Sequence, residues 1–203
     1  VQQFLAGDDA GTARTVGASG AEDETALAFD VVDQLWRALG RAHSPLGTST
    51  AAAPAGGVVT PMVAGAEPLA ALGEIDGTVV LVVDDLQWID TDSATSLLFL
   101  LRRLQAEPML TVLISQPEPG LRLGDGWARL LRDASRVTHV TLTGLSPAEV
   151  AELSVALGQG ELTPALATRL HEHTHGHPLH TRSLLHELGV DVLGSARTLP
   201  APR

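Results

Sequence analysis

The chain has 203 residues, 13 basic and 24 acidic, with a formal net charge of −11, so it lacks the clustered cationic surface that grips duplex DNA. It contains no cysteine, which excludes disulfides, thiolate metal sites and cysteine nucleophiles and suits a reducing cytoplasm. Hydrophobic residues make up 44% and aromatics only 3%, so a core must be aliphatic, and no apolar run approaches the ~20 residues that span a membrane.

Val1-Gln2-Gln3-Phe4-Leu5 opens the chain without a Met, a basic region or an apolar signal core, which reads as a fragment without a secretion signal. Ala13–Ala18 is an expected strand. Phe29, Val32, Trp36 and Leu39 recur at helical spacing and predict an amphipathic helix over about 26–42. Glu22, Asp23 and Glu24 suit the positive end of its dipole. Residues 43–65 are rich in Ala, Gly, Pro, Ser and Thr and read as a flexible loop or insertion. Pro68–Leu72 reads as a helical turn before the next strand.

Val79-Val80-Leu81-Val82-Val83 then runs straight into Asp84-Asp85. An unbroken apolar run of this length predicts a strand buried on both faces. Asp92 or Thr91 can cap the following helix, which carries Leu97, Leu98, Leu101 and Leu104 on one face. Leu110–Ser115 is a second buried strand. Strand, helix and strand in this order form a βαβ unit with parallel strands. Trp127–Asp133 reads as a short helix and Val137–Leu142 as a third strand.

The texture changes at Ser146. Ser146-Pro147-Ala148-Glu149 is a capping box with Pro at the first helical position. Thr163-Pro164 starts another helix, and His177-Pro178 a third that ends near Gly189. Only helices are expected after 145. The boundaries are therefore an α/β core over 1–145 and a small helical domain over 146–203 with an unstructured C-terminal tail.

Two carboxylates at the carboxyl end of a buried parallel strand stand where open α/β sheets place their ligands. This is the form of a Walker B element. Asp84 is the candidate Mg²⁺ residue, acting largely through the ion's waters, because Mg²⁺ dehydrates reluctantly. Asp85 is the candidate catalytic residue, orienting a water toward a γ-phosphate. A buried strand ending in a polar turn, with Asp85 or Asp90 capping the next helix, accounts for the same residues without any chemistry. All 13 basic residues are Arg. A P-loop needs its Lys, so the chain holds none. Either the Walker B reading is wrong or the phosphate-binding half lies upstream of Val1.

Leu81–Asp90 resembles the D-D-x-x-W-x-D Walker B segment of the ATPase domain of large LuxR-type transcriptional regulators, which belong to the signal-transduction class of AAA-like P-loop ATPases. Val16-Gly17-Ala18 through Phe29–Leu35 is similar to the strand and helix after the family's P-loop helix. Thr143-Gly144-Leu145-Ser146 resembles the entry to its helical lid. Thr174-His175-Gly176-His177-Pro178-Leu179 resembles its T-G-G-N-P-L turn, with His177 where Asn is usual and Arg182 in the helix that follows. The resemblance spans about 13–190. It implies an incomplete parallel-sheet P-loop NTPase core, with its N-terminal P-loop missing and Val1–Leu5 as the tail of the P-loop helix, followed by a helical lid. It implies ATP and Mg²⁺ as cofactors and a nucleotide-dependent switch in the full-length regulator. Binding of ATP by this chain alone is expected to be weak or absent. The resemblance further implies that Pro178 and His177 approach the nucleotide. Ser115-Gln116-Pro117 stands where an Arg often follows in relatives, so γ-phosphate sensing would fall to Ser115 or Gln116. DNA contact would come from a C-terminal helix-turn-helix that this segment lacks. No membrane partner is expected, and a homo-oligomer suits the full-length protein. The competing function is a non-catalytic interaction or structural module.

His171, His173, His175, His177 and His180 include i, i+4 pairs that could clasp Zn²⁺ on a helix. They lack an H-E-x-x-H string, and Gly176-His177-Pro178 breaks the helix within them, so adventitious or no metal binding is the favoured reading. Trp36, Trp88 and Trp127 read as packing residues.

Overall fold

A computed structural model describes residues 13–41, 60–104, 108–116 and 123–195. The expected helix tail at Val1–Leu5, the loop at 43–59 and the C-terminal tail at 196–203 lie outside the described residues. The chain divides into two compact units, Val1–Val137 and Thr138–Arg203.

The first unit is α/β. Its described strands are β1 (Arg14–Ser19), β2 (Val79–Asp84) and β3 (Met109–Leu113), in the order β1-β2-β3 and all parallel. Arg14 faces Val79 and Ser19 faces Asp84 on one side of β2, while Val79 faces Met109 and Val83 faces Leu113 on the other. The apolar run is thus the middle strand of the three. Val79 to Val83 are all buried, each side chain contributing about 1.5–3 kcal/mol.

Parallel pairing needs long crossovers, and helices supply them. Helix α1 (Asp30–Ala38) buries Val31, Val32 and Leu35. Helix α2 (Pro61–Gly73) starts at Thr60, whose side chain accepts from the Val63 N–H, with Pro61 at the first helical position. Helix α3 (Thr91–Arg103) buries Leu97, Leu100 and Leu101, and α4 (Asp125–Leu131) buries Trp127, whose Nε1–H donates to the Ala94 carbonyl at 3.0 Å. These side chains join Val16, Leu81 and Val83 in one aliphatic core.

Four expectations change. The second buried strand expected over Leu110–Ser115 runs instead over Met109–Leu113 and none of its residues is fully buried, since among the described strands only β2 pairs with it. The helix over 26–42 is shorter at its start, because Phe29 adopts a left-handed conformation (φ 66°) immediately before α1. Residues 61–65 of the predicted loop and the turn at Pro68–Leu72 belong instead to the single helix α2. Val137–Leu142 forms no strand: no described strand pairs with it, and Val140 and Leu142 are 77% and 88% exposed. A β-rich sequence gains its ladder hydrogen bonds only where an edge is offered to it.

The second unit contains α5 (Pro147–Ala156), α6 (Pro164–Thr174) and α7 (Pro178–Ser195), the last broken at Gly189 (φ 69°, ψ 160°). Both halves of the Ser146–Glu149 capping box form, and Thr163 caps α6 through the Leu166 N–H. Val150, Leu166, Leu170, Leu184 and Leu185 make its core. Thr174 and Thr181 are buried in it, with their hydroxyl oxygens 3.0 Å apart.

Candidate functional site

The carboxyl end of β2 is where the chain changes character. Asp84 is exposed, and its Oδ1 accepts the Asp85 N–H at 2.9 Å. Asp85 is half-buried and left-handed (φ 48°, ψ 45°), a conformation that costs a non-glycine residue about 1–3 kcal/mol. Local bonds hold it there. The Trp88 N–H donates to the Asp85 carbonyl at 2.9 Å, closing the short 3-10 turn Leu86–Trp88, and the Leu86 N–H donates to Ile114 O at 2.9 Å.

That last bond draws in the end of β3. Ser115 and Gln116 follow Ile114 and are exposed, and Ser115 Oγ donates to the Gln116 carbonyl at 3.0 Å. Gln87 joins the two strand ends. Its Nε2 donates to Asp85 Oδ1 at 2.8 Å, and its Oε1 accepts the Gln116 N–H at 3.1 Å. Sequence reasoning assigned Gln87 no role, although it lies inside the quoted D-D-L-Q-W string.

The end of β1 closes the other side. The Gly20 N–H donates to Asp84 O at 3.0 Å. A Cβ on Gly20 would lie 2.6 Å from the Asp85 carbonyl oxygen, so only glycine fits against the turn. Gln34 on α1 clamps the Ser19 main chain, donating to Ser19 O at 2.9 Å and accepting the Ser19 N–H at 3.0 Å. Glu24 lies beside Asp30, whose negative charge raises the Glu24 carboxyl above its ordinary range, with desolvation and Asp23 adding to the effect.

Asp90 has a different task. It is 4% exposed, and its Oδ1 accepts both the Ser93 N–H at 2.8 Å and the Phe29 N–H at 2.9 Å. It is therefore the N-cap of α3, as the reading of a buried strand ending in a polar turn allowed and in preference to Thr91 or Asp92, and it also pins the start of α1. Ser93 Oγ accepts the Val32 N–H at 3.2 Å beside it. The third acid of the D-D-x-x-W-x-D string thus serves the architecture.

Asp84, Asp85, Ser115 and Gln116 therefore share one end of the sheet. His177 and Pro178 stand in the second unit, both exposed, at the start of α7. The His177 ring stacks on His180 with centroids 4.2 Å apart. Within that unit the T-G-L-S and T-H-G-H-P-L segments meet directly. The Leu145 N–H donates to Gly176 O at 2.8 Å, and His171 Nδ1 lies 2.7 Å from Leu145 O. Cβ atoms on Gly144 and Gly176 would lie 2.2 Å from His175 O and 2.3 Å from Leu145 O, which requires glycine at both positions.

No protein-family model and no curated protein matches this chain.

Among the described residues no group of three or more His, Asp or Glu side chains is arranged to hold a metal ion. Two adjacent carboxylates at an exposed strand tip fit the way Mg²⁺ is commonly held, by one or two carboxylates completed by waters and phosphate oxygens. The donor set for a triphosphate is less complete: the chain has no Lys, and no glycine-rich cradle precedes a helix in the described residues. A cleft of about 500 Å³ lies at the amino end of the strands, around Arg14, Arg41 and Glu74. Arg41 is spent there on an ion pair with Glu74. No described helix is long and apolar enough to cross a membrane.

Proposed function

We propose that this chain is part of an ATP-binding regulatory domain of the LuxR-regulator type, an ATP- and Mg²⁺-dependent switch that does not itself contact DNA. The observation that carries the reading is the Asp84–Asp85 pair at the carboxyl tip of the middle strand, beside the Ser115–Gln116 end of β3. In this reading Asp84 holds Mg²⁺ through its water shell. The bound ion would screen phosphate charge. Asp85 accepts a hydrogen bond from the attacking water, and Ser115 or Gln116 offers polar contact to the terminal phosphate.

The test is calorimetry of Mg²⁺–ATP on the whole gene product and on its Asp84→Ala variant. Loss of binding in the variant supports the reading, whereas unchanged affinity and turnover would remove its basis. The 203-residue chain alone is expected to bind ATP weakly, since it lacks a P-loop Lys. Micromolar affinity on that chain would contradict this.

A non-catalytic module is the second reading. It draws support from the absence of Lys and from the engagement of Asp85 and Asp90 in turn and cap hydrogen bonds. Full ATP independence of the whole gene product, with its fold intact, would favour it.

A further inference from the structure

The two links of Gln87 differ in kind. A carboxylate accepts only from the amide NH₂, and a main-chain N–H donates only to the amide oxygen. Asp85 Oδ1 and the Gln116 N–H therefore fix which way the Gln87 amide faces, at 2.8 and 3.1 Å. Gln87 itself sits in the 3-10 turn, whose first residue is tied to β3 by the Leu86 N–H. The side chain spans from the acidic tip of β2 to the first polar residues beyond β3. A methylene stem with a carboxylate would accept from Gln116 and repel Asp85. A stem with a thioether would do neither.

We propose that Gln87 is a positioning residue and a relay: it aims the Asp85 carboxylate and passes a change at that carboxylate to the main chain at Gln116. The proposal rests on the reading of the Asp84–Asp85 tip as the part that meets a Mg²⁺–nucleotide. A water or ion that competes for Asp85 draws the carboxylate from Nε2, the amide reorients, and the hold on the Gln116 N–H relaxes. The state of the acidic tip would thus be reported at the end of β3, which carries Ser115 and Gln116.

Amide hydrogen exchange at Gln116, measured by NMR on the 203-residue chain, tests this without any nucleotide. In Gln87→Met the Gln116 amide should exchange roughly fivefold faster, the effect of one lost hydrogen bond. Gln87→Glu keeps an acceptor for Gln116 but repels Asp85, and it too should speed exchange. Asp85→Ala should act like Gln87→Met although both groups of the Gln87–Gln116 bond itself are left in place. Asp85→Asn, which retains an oxygen facing Nε2, should restore most of the protection. The Val82 and Val83 amides report whether the sheet is intact. If Asp85→Ala opens the sheet, Gln87→Glu decides alone.

Unchanged Gln116 exchange in Gln87→Met, or a rise there with none in Gln87→Glu and Asp85→Ala, overturns the relay. The two proposals fail separately. Coupling at Gln116 that persists while the whole gene product ignores Mg²⁺–ATP sinks the nucleotide reading alone. Intact nucleotide binding with an uncoupled Gln116 sinks the relay alone.

Discussion

Asp90→Ala tests how the α/β unit is held together. The carboxylate is buried and accepts two main-chain N–H groups, from Ser93 at the start of α3 and from Phe29 at the start of α1. Losing the cap costs about 1–2 kcal/mol. Leaving the part-buried Phe29 N–H without its acceptor costs about 1–3 kcal/mol more. The expected destabilisation is therefore about 2–5 kcal/mol, a large share of the ~5–15 kcal/mol that holds a typical domain. Asp90→Asn keeps an oxygen for both donors, loses the charge at the helix start, about 0.3–1 kcal/mol, and sets an amide NH₂ where Oδ2 is buried without a hydrogen-bond partner. Trp36, Trp88 and Trp127 all lie within the first unit, so a urea titration followed by tryptophan fluorescence reports on that unit. The midpoint should fall for both variants, and further for Ala than for Asn. A loss below about 1 kcal/mol for Ala, or an Asn variant less stable than the Ala variant, would refute the assignment of Asp90 as a double clamp.

Further outcomes follow from other contacts. Gly20→Ala forces a methyl group to within 2.6 Å of Asp85 O and 2.9 Å of the Trp88 carbonyl carbon; a loss of about 1–3 kcal/mol is expected, together with a shift in tryptophan emission, and an unchanged spectrum and midpoint would contradict the close approach. Thr181→Val removes a buried hydroxyl that donates to His177 O at 3.0 Å and faces Thr174 Oγ1; it should cost about 1 kcal/mol, lowering the thermal transition of the helical unit in circular dichroism. The Ser146 hydroxyl, and then the Ser146 N–H, hold the Glu149 carboxyl below its ordinary value of 4.5. A group depressed on folding stabilises the fold above its unfolded value and loses that contribution as pH falls through the folded one. The helical transition should therefore weaken below about pH 4.5, and Ser146→Ala should flatten that dependence, a prediction that fails if the two proteins show the same acid limb.

Much of the α/β unit is written in local pattern. Five consecutive apolar residues at 79–83, four of them Val, read as a strand covered on both faces, and the structure puts them in the middle of the described sheet. The helix at Thr91–Arg103 and the strand at Met109–Leu113 follow from periodicity and Pro108. The cap was harder to read, because Asp90-Thr91-Asp92 offers three competent residues in a row and only the Phe29 N–H, from a distant part of the chain, selects Asp90. The same contact explains why α1 begins late. Helix α2 carried a legible start in Thr60-Pro61, which the surrounding Ala, Gly and Pro composition masked. Val137–Leu142 has strand composition but no described strand pairs with it, and pairing is not a local property. Within the candidate site, the acids were legible from their place after the apolar run. Gln87 was not, since its second partner, Gln116, arrives from another strand.

The all-parallel register carries a kinetic corollary. Arg14 must find Val79, and Val79 must find Met109, across whole intervening helices rather than tight hairpins. Such pairings incur loop-closure entropy before any ladder bond forms, so the sheet should assemble slowly compared with the locally wired helices of α5 to α7. The acidic tip exists only once β1 and β3 have both docked on β2. Asp84 and Asp85 are neighbours in the chain, but the turn that aims them is tied to Gly20 and to Ile114, so on refolding the pair should take its final geometry only after the helical turns of the second unit have formed.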